Sequence, residues 1–301
     1  MPQTVGFIGI GTMGSLMSKR ILNAGFPLVV FDTVPENVRP LEGAGATVAA
    51  SPREVAAQSD VVLLSLPNSA IVERVCFGDD GVAAGAKPGA IVVDLTSGNP
   101  PDTTRISQRL AEQSIRMVDI GLLGSTGPAK QGKLGLVYGG DAAAFEEVKP
   151  ILDQIGDRSF NMGAIGNGHF AKALNNLLGT VNYLAACEAF IVAAKAGLDP
   201  AGVAAVINSS GGKSQATERR IPEWLKREFG EPGSGMALDL WIKDVATACG
   251  MGKETNLPMP LSTLAYQLLI QITNELGGNL PNNAIPLVYE KWAGVELHET
   301  E

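Results

Sequence analysis

The rhythm of apolar positions divides this chain into two unlike halves. In the first, short apolar runs alternate with amphipathic stretches. Val5–Ile8, Leu28–Phe31, Val61–Leu66, Ala90–Asp94, Met117–Ile120 and Leu134–Tyr138 are compact apolar runs bounded by turn residues, the pattern of buried strands. Between them, Leu16–Ala24, Pro52–Gln58, Ser69–Val75, Thr103–Gln113 and Ala142–Gln154 predict helices. Alternation of this kind predicts an α/β domain with a parallel, doubly wound sheet, whose ligands lie beyond the carboxyl ends of the strands. Three polar or glycine-rich turns fall on that edge: Pro67-Asn68, Thr96-Ser97 and the loop after Asp119.

After Gly163-Ala164-Ile165-Gly166 the pattern changes. From about residue 166 to Gly197 a stretch rich in small residues and free of proline predicts one long helix; Gly179 costs it some propensity. Ala201–Ser209, Leu238–Gly250, Leu261–Glu275 and Pro286–Trp292 continue in helical period. The expected organisation is an α/β domain over 1–164 and an all-α domain over 165–301, joined by the long helix.

The start of the chain adds chemistry to the pattern. The first strand runs directly into Gly9-Ile10-Gly11-Thr12-Met13-Gly14, and a helix follows. Glycines at this spacing let the backbone approach a pyrophosphate at a helix N-terminus. The second apolar run ends in Asp32, eighteen residues after Gly14. A carboxylate there can accept hydrogen bonds from adenosine ribose hydroxyls. Strand, turn, helix, strand and acid in this order predict a Rossmann domain over 1–164.

Composition narrows the remaining classes. The 301 residues are 45% hydrophobic and 18% charged, a globular balance. A net charge of −8 without a basic run argues against nucleic acid. Cys76, Cys187 and Cys249 lie far apart in apolar or alanine-rich surroundings, as buried thiols of a reducing compartment do. With only two histidines, no metal site is expected. The N-terminal apolar run is too short for a signal peptide, and no stretch looks like a membrane span. A cytoplasmic protein with no membrane partner is the expectation.

The long helix opens with Gly166-Asn167-Gly168-His169-Phe170-Ala171-Lys172, followed by Asn175-Asn176. Gly168, Lys172 and Asn176 are four apart and share one helix face. A lysine among small and apolar neighbours at the junction of the two halves is a candidate proton-transfer group, because burial lowers an ammonium pKa toward neutrality. Asn176 could bind the same substrate oxygen. Ser210, within Ser209-Ser210-Gly211-Gly212, is a candidate wall of a substrate pocket or a plain helix stop. His169 reads as structural, and Arg219-Arg220 as a solvated pair.

These residues resemble the β-hydroxyacid dehydrogenase family, which includes 3-hydroxyisobutyrate dehydrogenases and tartronate semialdehyde reductases. The opening Gly6-Phe7-Ile8-Gly9-Ile10-Gly11-Thr12-Met13-Gly14, the Gly166/Gly168/Lys172 segment with its asparagine pair, and Lys243-Asp244 match the family's motifs. The resemblance implies Lys172 as catalytic acid/base, Asn176 as its substrate-orienting neighbour, and Lys243 as a contact to cofactor or substrate. It also implies cofactor contacts at Leu66, Pro67, Asn68 and Thr96, and a homodimer or homotetramer.

One loop departs from the family. Where members carry Asp-Ala-Pro-Val-Ser-Gly-Gly, this chain has Asp119-Ile120-Gly121-Leu122-Leu123-Gly124-Ser125. Leu123 therefore replaces the serine that receives the substrate carboxylate, with Gly124, Ser125 and Asn175 beside it as candidate substrate contacts. Gly124-Ser125-x-x-Pro128-Ala129 is closer to the glyoxylate and succinic semialdehyde reductases. The expected activity is hydride exchange between NAD and a small 3-hydroxy acid or its semialdehyde. The alternatives are an NADPH-type aldehyde-acid reductase and a non-catalytic nucleotide-binding relative.

Overall fold

The structure is a computed structural model that describes residues 3–231 and 236–299. It divides into two compact units, Met1–Lys172 and Ala173–Glu301, so the division falls inside the helix Asn167–Lys195.

The first unit is built on eight strands: β1 (Val5–Ile8), β2 (Leu28–Phe31), β3 (Thr47–Val48), β4 (Val61–Leu64), β5 (Ile91–Asp94), β6 (Arg116–Leu123), β7 (Leu134–Gly140) and β8 (Gly156–Asn161). Their order across the sheet is β3-β2-β1-β4-β5-β6-β7-β8. Successive side chains point to opposite faces of a strand, and both faces are apolar here. Val5, Phe7, Val30, Leu63 and Val93 belong to one buried cluster. Ile8, Val29, Leu64 and Val92 belong to another on the opposite side. Helices therefore cover both faces, which is why the central strands read as unbroken apolar runs.

Four features differ from the expected pattern. The sheet is parallel from β3 to β6, but β7 runs antiparallel to β6 and is followed by β8 in parallel with β7. The connection between β6 and β7 holds only the short helix Thr126–Gln131, too little chain for a parallel crossover. Strand β6 continues through Leu123, so what was expected as a loop after Asp119 is strand, paired with β7 as far as Leu123↔Gly135. Strands β3 and β8 were not expected at all.

The second unit is helical: Pro200–Asn208, Leu238–Glu254, Pro260–Leu276 and Pro286–Ala293 are its longer segments besides the end of Asn167–Lys195. A π-helical turn at Ala216–Arg220 leads into the short helix Ile221–Leu225. Its core gathers Leu177, Tyr183, Phe190, Trp224, Trp241, Leu269 and Val288. The expectation that nothing in the chain could span a membrane is corrected by Asn167–Lys195. Within its 29 residues an 18-residue window reaches a mean hydropathy of 1.6, enough by length and composition alone. That apolarity has another use, since Ala173, Leu177, Leu184, Cys187 and Phe190 along it line this core.

Candidate active site

At the carboxyl edge of β1, the glycines of the opening motif carry different burdens. Gly9 has a left-handed φ of +92°, and a side chain there would collide with the Ser65 carbonyl. A side chain at Gly14 would collide with the Gly9 carbonyl. Gly11, the N-cap of the helix Thr12–Asn23, faces open space, with nothing beyond its own chain neighbours within 4 Å of where a Cβ would stand. No side chain caps that helix. Its first N–H groups and positive dipole end are thus available to an anion. Ile10 is buried, while Thr12 and Met13 stand on the outer turn.

Asp32 closes this corner. Its carboxylate accepts from the Ile10 N–H at 2.6 Å and from the Val34 N–H at 2.8 Å. The acid that can meet a ribose is thereby tied to the glycine turn. These features fit a dinucleotide: a close backbone approach, uncapped amides for a pyrophosphate, and a fixed carboxylate.

Further along the edge, the sequence candidates have duties inside the protein. Thr96 is buried; its hydroxyl accepts from the Leu66 N–H at 3.1 Å, and its own N–H donates to the Asp94 carboxylate at 3.0 Å. Asn68 is the N-cap of the helix Ser69–Phe77, its Oδ1 accepting from the Ile71 N–H at 3.0 Å. Pro67 is exposed beside it. Burial holds the Asp94 carboxyl above its usual range, against the opposing pull of nearby His169.

Lys172 lies in the second turn of the helix Asn167–Lys195, half-buried, with its start laid across β6 and β7. A Cβ on Gly121 of β6 would stand 2.5 Å from the Lys172 Cβ. Leu123 is on the same face of β6 two residues on, about 6–7 Å along the strand. Its side chain lies over Gly135, whose Cβ would meet the Leu123 Cβ at 3.2 Å. The structure therefore brings Leu123 and Lys172 to one face of one strand. Gly124 is exposed with φ +130°, and Ser125 is the N-cap of Thr126–Gln131.

In the second unit, Asn176 is buried and its Nδ2 donates to the Asp244 carboxylate at 2.6 Å. Its Oδ1 accepts from the Asn175 Nδ2 at 3.2 Å. Lys243 reaches the other Asp244 oxygen at 3.4 Å. Asp244 thus orients both a neighbouring lysine and Asn176. Ser210 is exposed after the helix Pro200–Asn208 and donates back to the Val206 carbonyl at 3.4 Å, the behaviour of a helix stop. Arg219 and Arg220 share Glu223. Among the described residues no cluster of potential metal ligands occurs.

Comparison with known proteins decides the family. A family model described as the NAD binding domain of 6-phosphogluconate dehydrogenase matches residues 4–165. A second, described as the NAD-binding domain of NADP-dependent 3-hydroxyisobutyrate dehydrogenase, matches 166–289. The 2-(hydroxymethyl)glutarate dehydrogenase of Eubacterium barkeri is 34% identical over 97% of this chain and 97% of its own. The L-threonate dehydrogenase of Cupriavidus necator is 32% identical over 99% and 98%. A solved structure of Mycobacterium tuberculosis 3-hydroxyisobutyrate dehydrogenase with L-serine superimposes with a TM-score of 0.89 at 26% identity, covering 96% of this chain and 99% of that one.

The chain belongs to the β-hydroxyacid dehydrogenase family. As a member it is an oxidoreductase acting on the CH–OH group of a small hydroxy acid with a nicotinamide cofactor. Three buried groups make contacts that the sequence alone does not assign to them. Asp244 holds Asn176. Thr103 Oγ1 lies 2.9 Å from the His169 Nδ1. Asp119 accepts from two main-chain N–H groups at the start of the lysine helix. The available signal for Asp119 was a lone acid within the apolar run Met117-Val118-Asp119-Ile120.

Proposed function

We propose that this dehydrogenase uses NAD to interconvert a small 3-hydroxy acid and its semialdehyde, with Lys172 as general acid/base. The observation that carries the reading is Lys172 itself, half-buried on a helix start packed against Gly121, with Leu123 on the same strand face. When bound, the nicotinamide supplies the hydride acceptor or donor. Lys172 takes the hydroxyl proton in oxidation and returns it in reduction. Asn176, its amide turned by Asp244 and Asn175, donates its second N–H to the same substrate oxygen. The glycine turn and the uncapped helix Thr12–Asn23 hold the pyrophosphate, and Asp32 the adenosine ribose.

The test is Lys172→Ala. General acid–base groups contribute roughly 10²- to 10⁴-fold, so kcat should fall by at least a hundredfold while NAD still binds with near wild-type affinity, measured by fluorescence titration. A variant retaining more than a tenth of wild-type kcat on its best substrate removes Lys172 from the chemistry. The Gly124-Ser125-x-x-Pro128-Ala129 turn favours a second reading, an NADPH-dependent reductase of glyoxylate or succinic semialdehyde, and cofactor preference separates the two.

A further inference from the structure

Asp119 is fully buried in the middle of β6, and both its oxygens are taken by main-chain donors of another element. Oδ1 accepts from the Gly166 N–H at 2.6 Å and Oδ2 from the His169 N–H at 2.7 Å. The opening amides of a helix have no partners within it. Here a carboxylate from a strand of the sheet supplies them, through short charge-assisted bonds at the positive end of the helix dipole.

The surrounding contacts leave that helix start little freedom. A Cβ on Gly168 would stand 2.5 Å from the Val137 carbonyl of β7 and 2.7 Å from the Asp119 Oδ2. One on Gly139 would stand 2.8 Å from the Asp119 Oδ1 and 3.0 Å from the Gly168 N. His169, 1% exposed, is plugged between Thr103 and the Asp94 carbonyl, the latter 3.2 Å from its Nε2. Above it, Gly98 has no room for a side chain, since its Cβ would lie 2.5 Å from the His169 Nδ1. One turn after these anchors the chain reaches Lys172, seated on Gly121, two residues beyond Asp119 on the same strand face.

We propose that Asp119 is a positioning residue for Lys172: by binding the Gly166 and His169 amides together, its carboxylate fixes the height and rotation of the helix start from which the lysine side chain departs. The inference rests on the reading of Lys172 as the acid/base. Asp119 itself exchanges no proton with substrate, since both its oxygens point at the backbone. Strand β6 thus carries two determinants on one face, Asp119 setting the lysine and Leu123 facing what the lysine acts on.

The experiment uses the full-length protein with NAD and the best of 3-hydroxyisobutyrate, 2-(hydroxymethyl)glutarate and L-threonate. Asp119→Asn keeps the shape but must turn an N–H toward one of the two amides. Asp119→Glu keeps both acceptors but shifts them by about one bond length. If Asp119 only stabilises the fold, kcat should recover with melting temperature in Asp119→Glu. If it positions Lys172, kcat should stay down in both variants by roughly 10- to 100-fold, the scale of a misplacement of about 1 Å. The NAD dissociation constant should hold within twofold, and the solvent deuterium isotope effect on kcat should rise. Wild-type kcat and isotope effect in either folded variant overturn the proposal. Hydrogen exchange of the wild-type protein supplies a readout that depends on no variant. The Gly166 and His169 amides should exchange as slowly as core strand amides, and rapid exchange at either overturns the anchor. Lys172→Ala run in parallel separates the two ideas. Activity surviving there sinks the acid/base reading, whereas an inactive Lys172→Ala beside fully active Asp119 variants sinks the positioning role alone.

Discussion

Leu123 is the residue at which this dehydrogenase departs most from its family's motif, and its surroundings suggest what the departure does. It is half-buried at the end of β6 with its side chain over Gly135, and it has no group to donate to a carboxylate. Losing a hydrogen bond to a charged group costs about 1.5–3 kcal/mol, or roughly 10- to 100-fold in kcat/KM. Wild-type activity on 3-hydroxyisobutyrate and glycerate should be weak, and Leu123→Ser should raise kcat/KM on both by about that factor in steady-state assays. Wild-type values near 10⁵ M⁻¹s⁻¹, within the ordinary enzyme range, would remove Leu123 from substrate choice. Asp32 supports an equally local expectation about the cofactor. Its carboxylate is fixed by the Ile10 and Val34 amides and cannot swing away from a 2′-phosphate. Thr33, Val34 and Pro35 after it offer no cation. Like-charge juxtaposition costs several kcal/mol, so kcat/KM should favour NAD over NADP by at least roughly a hundredfold. Equal values with the two cofactors would refute this.

At the scale of elements, the glycine motif separates into parts that mutation can tell apart. Gly14 is needed by the fold, because its Cβ would strike the Gly9 carbonyl. Gly11 has room for a methyl group and an ordinary backbone, φ −71°. Gly14→Ala should lower stability by about 1–3 kcal/mol, as overpacking does. Gly11→Ala should stay within about 1 kcal/mol of wild type yet bind NAD at least tenfold more weakly, because the added methyl occupies the space a pyrophosphate would approach. Thermal unfolding with cofactor titration checks both, and wild-type NAD affinity in Gly11→Ala would mean that this turn does not carry the phosphates. Elements with one dominant physical cause are legible in the sequence. Strands β1, β2, β4 and β5 are buried on both faces, so their apolar runs could hardly read otherwise. Strand β8 could not be read, since Gly156-Asp157-Arg158-Ser159-Phe160-Asn161 is an edge with mostly exposed side chains. Nor could the length of β6, where an acid and a glycine interrupt an apolar run for the sake of the helix packed upon it. The bonds that Asp119 and Asp244 make escaped for the same reason. Each serves a group distant in sequence, and pairing over such separations leaves no local pattern.

At the scale of the molecule, the two units keep separate cores, and the cysteines report on how each is closed. Cys76 lies in a core of the first unit and Cys187 in that of the second, both without exposed surface. Burial pushes both thiols well above their ordinary range, with nearby carboxylates adding to it. Cys249 is only partly covered on the helix Leu238–Glu254, and burial raises it as well. The thiolate is the reactive form, and a reagent must also reach it. Iodoacetamide at pH 8 should therefore modify Cys249 first, and Cys76 and Cys187 only as their own units open. Peptide mass mapping during a urea titration then assigns each opening to a unit: Cys76 to residues up to Lys172, Cys187 to those beyond. Because the helix Asn167–Lys195 belongs to both units and would have to fray at Lys172 for one to open alone, the two buried thiols should become reactive over the same urea range. Modification of Cys187 at urea concentrations where Cys76 stays protected would show that the second unit unfolds on its own, and that the shared helix does not bind the two into one cooperative transition.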